Sequence, residues 1–315
     1  MTNLKLKPIL SALLAGATVL FTACKKDDAG GATTGQLNVE ITDGPIDDPG
    51  VKGVFITVSE VMVDGQPFAG FTGKKTINLL AYQQGSVAAL GLGDIEAGSY
   101  QNITLVLDNQ TDMNGASPGC YVLAANNAKH TLSASASQTI TAAKDFTIKA
   151  GEKTELVLDF DLRKAVQHQG SGADQYDFVA TADLQSSLRV VIKNETGTVS
   201  GECQNALVNT DKIIVYAYKK GSFVRDVEIQ SDNGGVAFKN AVTSTVVNSN
   251  GEFKIAFLEE GEYELHFAAY NDVNSDGQLD FQGTLLLSSL LDLNAIDLTA
   301  AASVQLNVTV SGILP

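Results

Sequence analysis

Residues 36–45 read QLNVEITDGP, and this stretch sets the fold class. Leu37, Val39 and Ile41 alternate with polar neighbours, and the run stops at an Asp-Gly-Pro sequence. Side chains two residues apart lie on the same face of a strand. This period of two therefore predicts a β-strand with one buried face that ends in a tight turn.

The same alternation recurs along the whole chain. The runs are separated by short stretches rich in Gly, Asp and Asn, a pattern typical of antiparallel sandwiches or barrels. We therefore predict an all-β protein made of two tandem antiparallel β-sandwiches, at residues 36–195 and 196–315. The supporting runs are Val54–Val58, Ile103–Leu107, Leu156–Phe160, Ile213–Ala217, Phe253–Phe257, Tyr263–Phe267 and Val304–Val310.

Residues 1–23 have the layout of a secretory signal peptide. Lys5 and Lys7 precede an apolar run from Pro8 to Ala23, which at about 1.5 Å per residue is too short to span a membrane as a helix. The ending LFTAC at 20–24 resembles a bacterial lipobox, with Phe21 where that family usually carries Leu. The resemblance implies lipidation at Cys24, and residues 24–35 would then form a lipidated, flexible tether.

The sequence Lys25-Lys26-Asp27-Asp28 resembles the export signal of Bacteroidota surface lipoproteins. The alternative interpretation is a charged, solvated tether. The resemblance implies a protein that the lipid on its N-terminal cysteine holds in the outer membrane, with its body exposed at the cell surface.

The charge balance argues against a nucleic-acid partner. The chain has 21 basic and 36 acidic residues, a net charge of −15. Removal of the leader takes away Lys5 and Lys7, so the mature chain has 19 basic and 36 acidic residues, or −17. Such an acidic surface repels phosphate backbones.

Two cysteines besides Cys24 lie in the body of the protein. Cys120 and Cys203 fall in different predicted domains, and an exported protein can carry a disulfide. The sequence therefore allows either an inter-domain disulfide or two unpaired buried thiols.

The stretch 272–280, DVNSDGQLD, is similar to the first part of a calcium-binding loop. Asp272, Asn274, Asp276 and Asp280 would supply side-chain oxygens and Gln278 its carbonyl, with a glycine at the sixth position for the tight turn. The twelfth position of a standard loop would be a glycine, so the bidentate Glu is absent. A structural Ca2+ site and a polar turn between strands are the two interpretations.

Catalytic signals are weak. Asp159 and Asp161 share one strand face, but a glycosidase pair also needs a cleft and aromatic side chains that stack on sugars, and the chain has no tryptophan. His130, His168 and His266 show no zinc-ligand spacing; the alternation predicts that His266 faces solvent. We therefore predict no catalytic residue.

Two glycine-rich stretches look superficially like phosphate-binding loops. Residues 70–76 read GFTGKKT and residues 91–93 read GLG. The first has the wrong glycine spacing and lacks the required hydroxyl, and the second lacks its third glycine. Neither predicts a nucleotide site.

The two halves resemble different exported families. Leu37–Pro45, Val54–Val63, Ile95–Leu107 and Leu156–Asp161 resemble the strands of the domain-of-unknown-function 4382 family, which implies a prealbumin-like sandwich and no known activity. The stretch Leu162–Val166 departs from that pattern. The second half is similar to carboxypeptidase-regulatory or transthyretin-like sandwiches, on the evidence of Gly197–Ser200, Asn250–Ile255 and Leu258–Leu265.

These observations favour a non-catalytic, surface-exposed lipoprotein that acts as a binding or scaffolding module, with a protein or glycan ligand. The alternative is an exported hydrolase or an accessory subunit of a surface enzyme complex. Carboxylates and a histidine that converge in one deep pocket would favour the enzyme. Separate acidic turns on a smooth sandwich would favour binding.

Overall fold

The computed structural model describes residues 32–44, 51–168, 176–204, 210–230, 237–273 and 279–315. In these ranges strands dominate, and no helix is both long and apolar enough to cross a membrane. The predicted all-β fold class is confirmed.

The first half contains short and long strands together with two short helices, α1 (Leu162–Ala165) and α2 (Thr181–Ser186). Single 3-10 turns lie at Leu79–Ala81 and Lys193–Glu195. The strands are β1 (Thr34–Gly44), β2 (Val51–Val63), β3 (Gln66–Pro67), β4 (Lys75–Asn78), β5 (Ala88–Glu96), β6 (Gly98–Asp108), β7 (Tyr121–Ala124), β8 (Lys129–Thr131), β9 (Ser137–Ile148), β10 (Lys153–Asp161), β11 (Val166–His168), β12 (Tyr176–Phe178) and β13 (Leu188–Ile192).

β11 and β12 form a separate two-stranded sheet, and the other strands form a sandwich. Sheet I has the order β13-β10-β1-β5, and sheet II has the order β8-β7-β2-β6-β9, with β3 and β4 also paired to β2. The alternating apolar residues of both sheets meet in one core, which includes Leu37, Ile56, Ile103, Leu156 and Leu158, all fully buried. This core is the buried face that the period-two pattern predicts.

The second half consists of strands and one short helix, α3 (Arg225–Glu228), in the described residues. Its strands form one sheet, sheet III, of order β16-β15-β18-β19-β21-β14-β17, and β20 pairs with β18. The strands are β14 (Thr196–Gln204), β15 (Lys212–Lys219), β16 (Thr243–Val246), β17 (Glu252–Glu259), β18 (Gly261–Asn271), β19 (Asp280–Ser289), β20 (Ile296–Leu298) and β21 (Ser303–Leu314).

Sheet III curls around its own core. Residues from β14, β15, β17, β18 and β21 all contribute to one apolar cluster. Phe253 on β17 and Phe267 on β18 meet edge to face, with ring centroids 5.3 Å apart, although several strands separate them in the sheet order. The sheet therefore encloses a core as two stacked sheets would.

Each half departs from a purely antiparallel arrangement at one pair of strands. β1 pairs in parallel with β10, and β14, the first strand of the second half, pairs in parallel with β21, the last. Alternation along a single strand carries no information on the direction of its neighbour, so the sequence did not indicate these pairs.

The outer face of sheet I is covered by the second half. Val157 and Val191 point away from the first core and are nevertheless fully buried. β1 contacts β16, and Arg189 on β13 reaches the backbone of Phe257 on β17. Sheet I is thus packed on both faces, and Ala32–Pro315 form one compact unit.

The two glycine-rich stretches of the first half lie against each other. A β-carbon at Gly70 would stand 2.6 Å from the Gly93 nitrogen and 2.7 Å from the Leu92 carbonyl carbon. The Leu92 N–H donates a 3.2 Å hydrogen bond to the Gly70 carbonyl. These glycines allow a loop to cross the edge strand β5 at backbone distance.

Candidate functional site

A cluster of charged side chains lies where the two halves meet. β10 ends with Asp159 and Asp161 on its outer face, and α1 follows at once with Arg163 and Lys164. β13 runs antiparallel to β10 and places Arg189 directly opposite Asp159. We call these five residues, together with Asp43 at the end of β1, the junction cluster.

Each aspartate of β10 has its own cation. Arg189 Nη2 lies 2.6 Å from Asp159 Oδ2. Arg163 Nη2 lies 2.9 Å, and Lys164 Nζ 3.4 Å, from Asp161 Oδ2. The Arg163–Asp161 pair is buried, with 3% and 8% of the two side chains exposed.

The surroundings move the pKa values of two aspartates in opposite directions. Burial alone would raise the pKa of Asp161, but the charges of Arg163 and Lys164 outweigh burial and lower this pKa. Burial raises the pKa of Asp43 well above its ordinary value. Hydrogen bonds from Gln83 and from the Leu162 N–H oppose that rise but do not cancel it, and the charges of the two neighbouring aspartates add to it.

The cations of the cluster also contact the second half. Arg163 Nη1 donates hydrogen bonds of 2.8 and 2.7 Å to the carbonyls of Ala237 and Phe238. The guanidinium of Arg163 also lies over the Tyr216 ring, 5.2 Å from its centroid. Lys164 Nζ donates to the Ala241 carbonyl at 2.8 Å. The cluster therefore joins the two halves.

This geometry does not suit the acid–base role considered for Asp159 and Asp161. A catalytic carboxyl must reach substrate and exchange its proton, whereas these two are buried and each is paired with a different cation. A buried, hydrogen-bonded ion pair holds one arrangement of the chain and is costly to break. The chemistry of the cluster is structural.

The structure describes only part of the predicted calcium loop. Asp272 and Asp280 lie at the two ends of the loop between β18 and β19, where Asn271 is opposite Asp280. Asn274, Asp276 and Gln278 are outside the described residues. In the residues that are described, no group of three or more acidic, His or Cys side chains could hold a metal ion, so the Ca2+ site stays a prediction.

One further acidic residue adjoins this loop. Asp211 Oδ2 accepts a 2.9 Å hydrogen bond from the Asp272 N–H, and the Asp211 N–H donates to Asn271 Oδ1 at 2.7 Å. Asp211 lies about sixty residues earlier in the chain, so the local spacing of the loop could not have revealed it.

The predicted lipidation site and export signal lie outside the described residues. Cys24, Lys25, Lys26, Asp27 and Asp28 all fall in the range 1–31. Both features remain predictions from the sequence.

The Cys120–Cys203 disulfide is not formed. Both thiols are free and buried, and each belongs to the core of its own half. Burial raises the pKa of Cys120 to about 12 and that of Cys203 to about 11. The interpretation as two unpaired thiols is the one that the structure shows.

His266 is not exposed as predicted. It does lie on the face of β18 opposite Leu265 and Phe267, but its ring stacks on Phe223 with centroids 3.6 Å apart. Burial lowers the pKa of His266, and the Glu264 carboxylate opposes that shift only in part. A second apolar layer covers this face of sheet III, which alternation alone did not indicate.

The surface grooves of the described residues are open: one of about 720 Å3 beside Leu290, Leu291 and Leu306 is mainly apolar, and two others are polar. One of about 560 Å3 lies beside Tyr100, Asp145, Glu152 and Glu195, and one of about 570 Å3 lies beside Glu202, Asp211 and Asn248. Neither is lined by Asp159 or Asp161. These grooves resemble contact surfaces more than an enclosed active site.

Comparisons with known proteins give weak structural similarity. A leucine-rich repeat protein from Bacteroides thetaiotaomicron matches with 10% identity and a TM-score of 0.21, over 90% of this chain and 27% of that one. GBS52, the minor pilin of Streptococcus agalactiae, matches with 12% identity and a TM-score of 0.20, over 89% and 97%. The fimbrial anchor protein Mfa2 from Porphyromonas gingivalis matches with 11% identity and a TM-score of 0.20, over 89% and 96%. These scores are too low to support an argument about function.

Sequence comparison identifies a relationship for the first half. No protein in the curated set matches the sequence, and the similarity of the second half to carboxypeptidase-regulatory domains stays a prediction. Residues 34–180 match the family described as Domain of unknown function (DUF4382), so the predicted resemblance of the first half to that family is confirmed over this stretch.

Proposed function

We propose that this protein is a non-catalytic, lipid-anchored module that binds or scaffolds a protein or glycan partner at the outer face of the outer membrane. The observation that carries the proposal is the junction cluster. Its carboxylates, the best catalytic candidates in the sequence, are buried in ion pairs, and the arginines of these pairs also donate hydrogen bonds to the backbone of the second half.

The arrangement of the body suits a scaffold. Two cores that share a covered sheet resist bending, because sheet I is packed on both faces. The body begins at β1, ten residues after Cys24, and ten residues span at most about 33–36 Å when extended. A lipid at Cys24 would therefore hold a firm two-part body close to the membrane, with its open grooves presented to partners.

Protease treatment of intact host cells tests the location. The native protein is compared with a variant in which Lys25, Lys26, Asp27 and Asp28 are all replaced by alanine, with a known surface protein as a positive control. We expect the native protein to be cut and the variant to be protected. A native protein that resists cleavage while the control is cut would contradict the proposal.

Crosslinking on intact cells tests the binding role. A membrane-impermeant, amine-reactive crosslinker should give a discrete adduct of higher mass with the native protein and none with the variant that stays inside. Surface exposure without any adduct, together with hydrolytic activity that Asp159→Asn abolishes, would favour the enzyme alternative instead.

A further inference from the structure

Two buried polar atoms lie unpaired where the two halves meet. Asp161 Oδ2 is held by Arg163 and Lys164. Within the described part of the chain, however, neither Asp161 Oδ1 nor the hydroxyl of Ser244 on β16 has a hydrogen-bond partner. Only 8% of the Asp161 side chain and 6% of Ser244 are exposed. Buried polar atoms in folded proteins are almost always hydrogen-bonded, so this pair of atoms requires an explanation.

Both atoms lie close to the same point beside Gly44, the last residue of β1. A β-carbon at Gly44 would stand 3.5 Å from Asp161 Oδ1 and 3.8 Å from Ser244 Oγ. Gly44 and Asp161 are opposite each other in the parallel pair of β1 and β10, whereas Ser244 belongs to β16 of the second half. This point therefore lies between the two halves, with one unpaired oxygen from each.

Neither the backbone nor the packing of the described residues requires a glycine at position 44. The φ of Gly44 lies outside the left-handed region that favours glycine, and a β-carbon there would meet only ordinary van der Waals contacts. Gly70 differs, because its β-carbon would stand 2.6 Å from a backbone nitrogen. A glycine at position 44 therefore leaves room beside the two oxygens, and a small space with polar walls is where a buried water binds.

The chemistry of the two atoms selects the ligand. A carboxylate oxygen only accepts hydrogen bonds, whereas a hydroxyl both donates and accepts them. The ligand must therefore donate to Asp161, and an anion is excluded by the negative charge of the carboxylate. A metal ion is disfavoured, because no group of three or more acidic, His or Cys side chains in the described residues could hold one. Water meets these requirements and is small enough to lie beside the Gly44 backbone.

We propose that Asp161 Oδ1 and Ser244 Oγ hold a buried water beside Gly44. The water donates a hydrogen bond to the carboxylate and accepts one from the hydroxyl, so both orphaned atoms are satisfied. It joins the first half to the edge strand β16, in addition to the direct contacts of the junction cluster. The site contributes to the rigidity of the body and does not depend on the binding role proposed above.

Substitutions at Gly44 test the site through the unfolding temperature of the chain that lacks residues 1–24. Gly44→Ala places a methyl group against the two oxygens and displaces the water, so this temperature should fall by about 2–6 °C. Gly44→Ser offers a hydroxyl that can donate to Asp161 in place of the water, and it should recover most of the loss. The matched control is Gly312→Ala, whose β-carbon would meet only carbon atoms of Leu286, at 3.5 and 4.0 Å, and which should show no fall.

Crystal structures of the native protein and of Gly44→Ala then locate the water. We expect one ordered water within hydrogen-bond distance of Asp161 Oδ1 and Ser244 Oγ in the native protein, and none at this point in the variant. A Ser244 hydroxyl bonded directly to Asp161, or another side chain in that space, would overturn the proposal. So would an alanine variant as stable as the native protein, or a serine variant no more stable than the alanine variant. If Gly44→Ala does not fold, the native crystal structure decides the matter.

Discussion

The guanidinium of Arg189 donates a 2.8 Å hydrogen bond to the carbonyl of Phe257, a residue of the other half that lies 68 positions later in the chain. The same guanidinium holds Asp159 at 2.6 Å. One side chain therefore links a carboxylate of the first sandwich to the backbone of the second. The junction depends on such shared donors, and this gives its charged residues measurable effects on stability.

Asp161→Asn should destabilise the protein strongly. The change leaves Arg163 and Lys164 without their buried counter-ion, and removing one partner of a buried pair costs about 3–5 kcal/mol. The free energy of unfolding at neutral pH, from denaturant titration, checks this. Lys220→Ala, which removes the exposed pair with Glu262, should leave the free energy of unfolding almost unchanged because solvent screens the pair, and equal losses in the two variants would contradict the prediction.

The stability loss in Asp161→Asn should depend on pH. Because the folded state lowers the pKa of Asp161, its carboxylate contributes stability above the unfolded pKa of about 3.9, and that contribution is lost as pH falls further. The difference between native protein and variant should therefore shrink on acidification below about pH 4. A constant difference across this range would argue against an ionic origin.

Asp43→Asn should stabilise the protein at neutral pH, whereas Asp161→Asn destabilises it. The folded state raises the pKa of Asp43, so its native form binds a proton more tightly than the unfolded chain and loses stability as pH rises above about 3.9. A neutral amide removes that penalty. We expect the variant to gain stability relative to the native protein as the pH rises above about 4. A relative gain at acidic pH instead would refute the assignment.

Gly70→Ala should destabilise the first half. The new methyl group would stand 2.6 Å from the Gly93 nitrogen, so the loop and β5 must separate, and overpacking of this kind costs about 1–3 kcal/mol. Gly98→Ala is the matched control, because a β-carbon there meets nothing within 4 Å. Thermal unfolding of the two variants side by side measures the difference, and similar midpoints would show that the close approach is unimportant.

The two body cysteines should be inert in the folded protein. Their raised pKa values, about 12 for Cys120 and about 11 for Cys203, leave almost no thiolate at neutral pH, and both are buried. A chain that lacks residues 1–24 should react with Ellman's reagent only after denaturation, and then with both thiols. Failure to titrate two thiols in denaturant without reductant would indicate a disulfide.

The loop at Asp272–Asp280 gives a direct test of calcium. If it binds Ca2+ structurally, the metal binds the folded state alone and raises the unfolding temperature by mass action. Asp276→Asn should abolish that rise, while Asp292→Asn, an acidic change outside the loop, should not. Equal unfolding temperatures with Ca2+ and with chelator in the native protein would identify the loop as a plain turn.

The alternation of Leu37, Val39 and Ile41 was enough to predict β1 and its buried face. It could not show that the opposite face is covered, because Asn38, Glu40 and Thr42 look like a solvated set. The sequence evidence for a covered outer face lies instead on two other strands of sheet I, β10 and β13. Residues 156–158 have the sequence LVL and residues 190–192 the sequence VVI. Both stretches are apolar without interruption, as is typical of strands that are buried on both faces.

The junction cluster was beyond sequence reasoning for a different reason. The spacing of Asp159 and Asp161 placed both on one face, but their partners come from the short helix α1 that follows the strand and from a strand thirty residues away. Spacing identifies carboxylates that share a face; it cannot distinguish a free pair from two that are already neutralised.

The two parallel strand pairs have a consequence for how the chain folds. β1 pairs with β10, and residues in contact, such as Asn38 and Glu155, are 117 positions apart in the sequence. In the second half the first strand, β14, pairs with the last strand, β21. Neither sheet can be completed until its last strand is synthesised, and long-range pairings of this kind slow folding and leave early strands exposed to aggregation. We therefore expect the parallel pair of each half to form late in folding, although the first of its two strands is the first to be made.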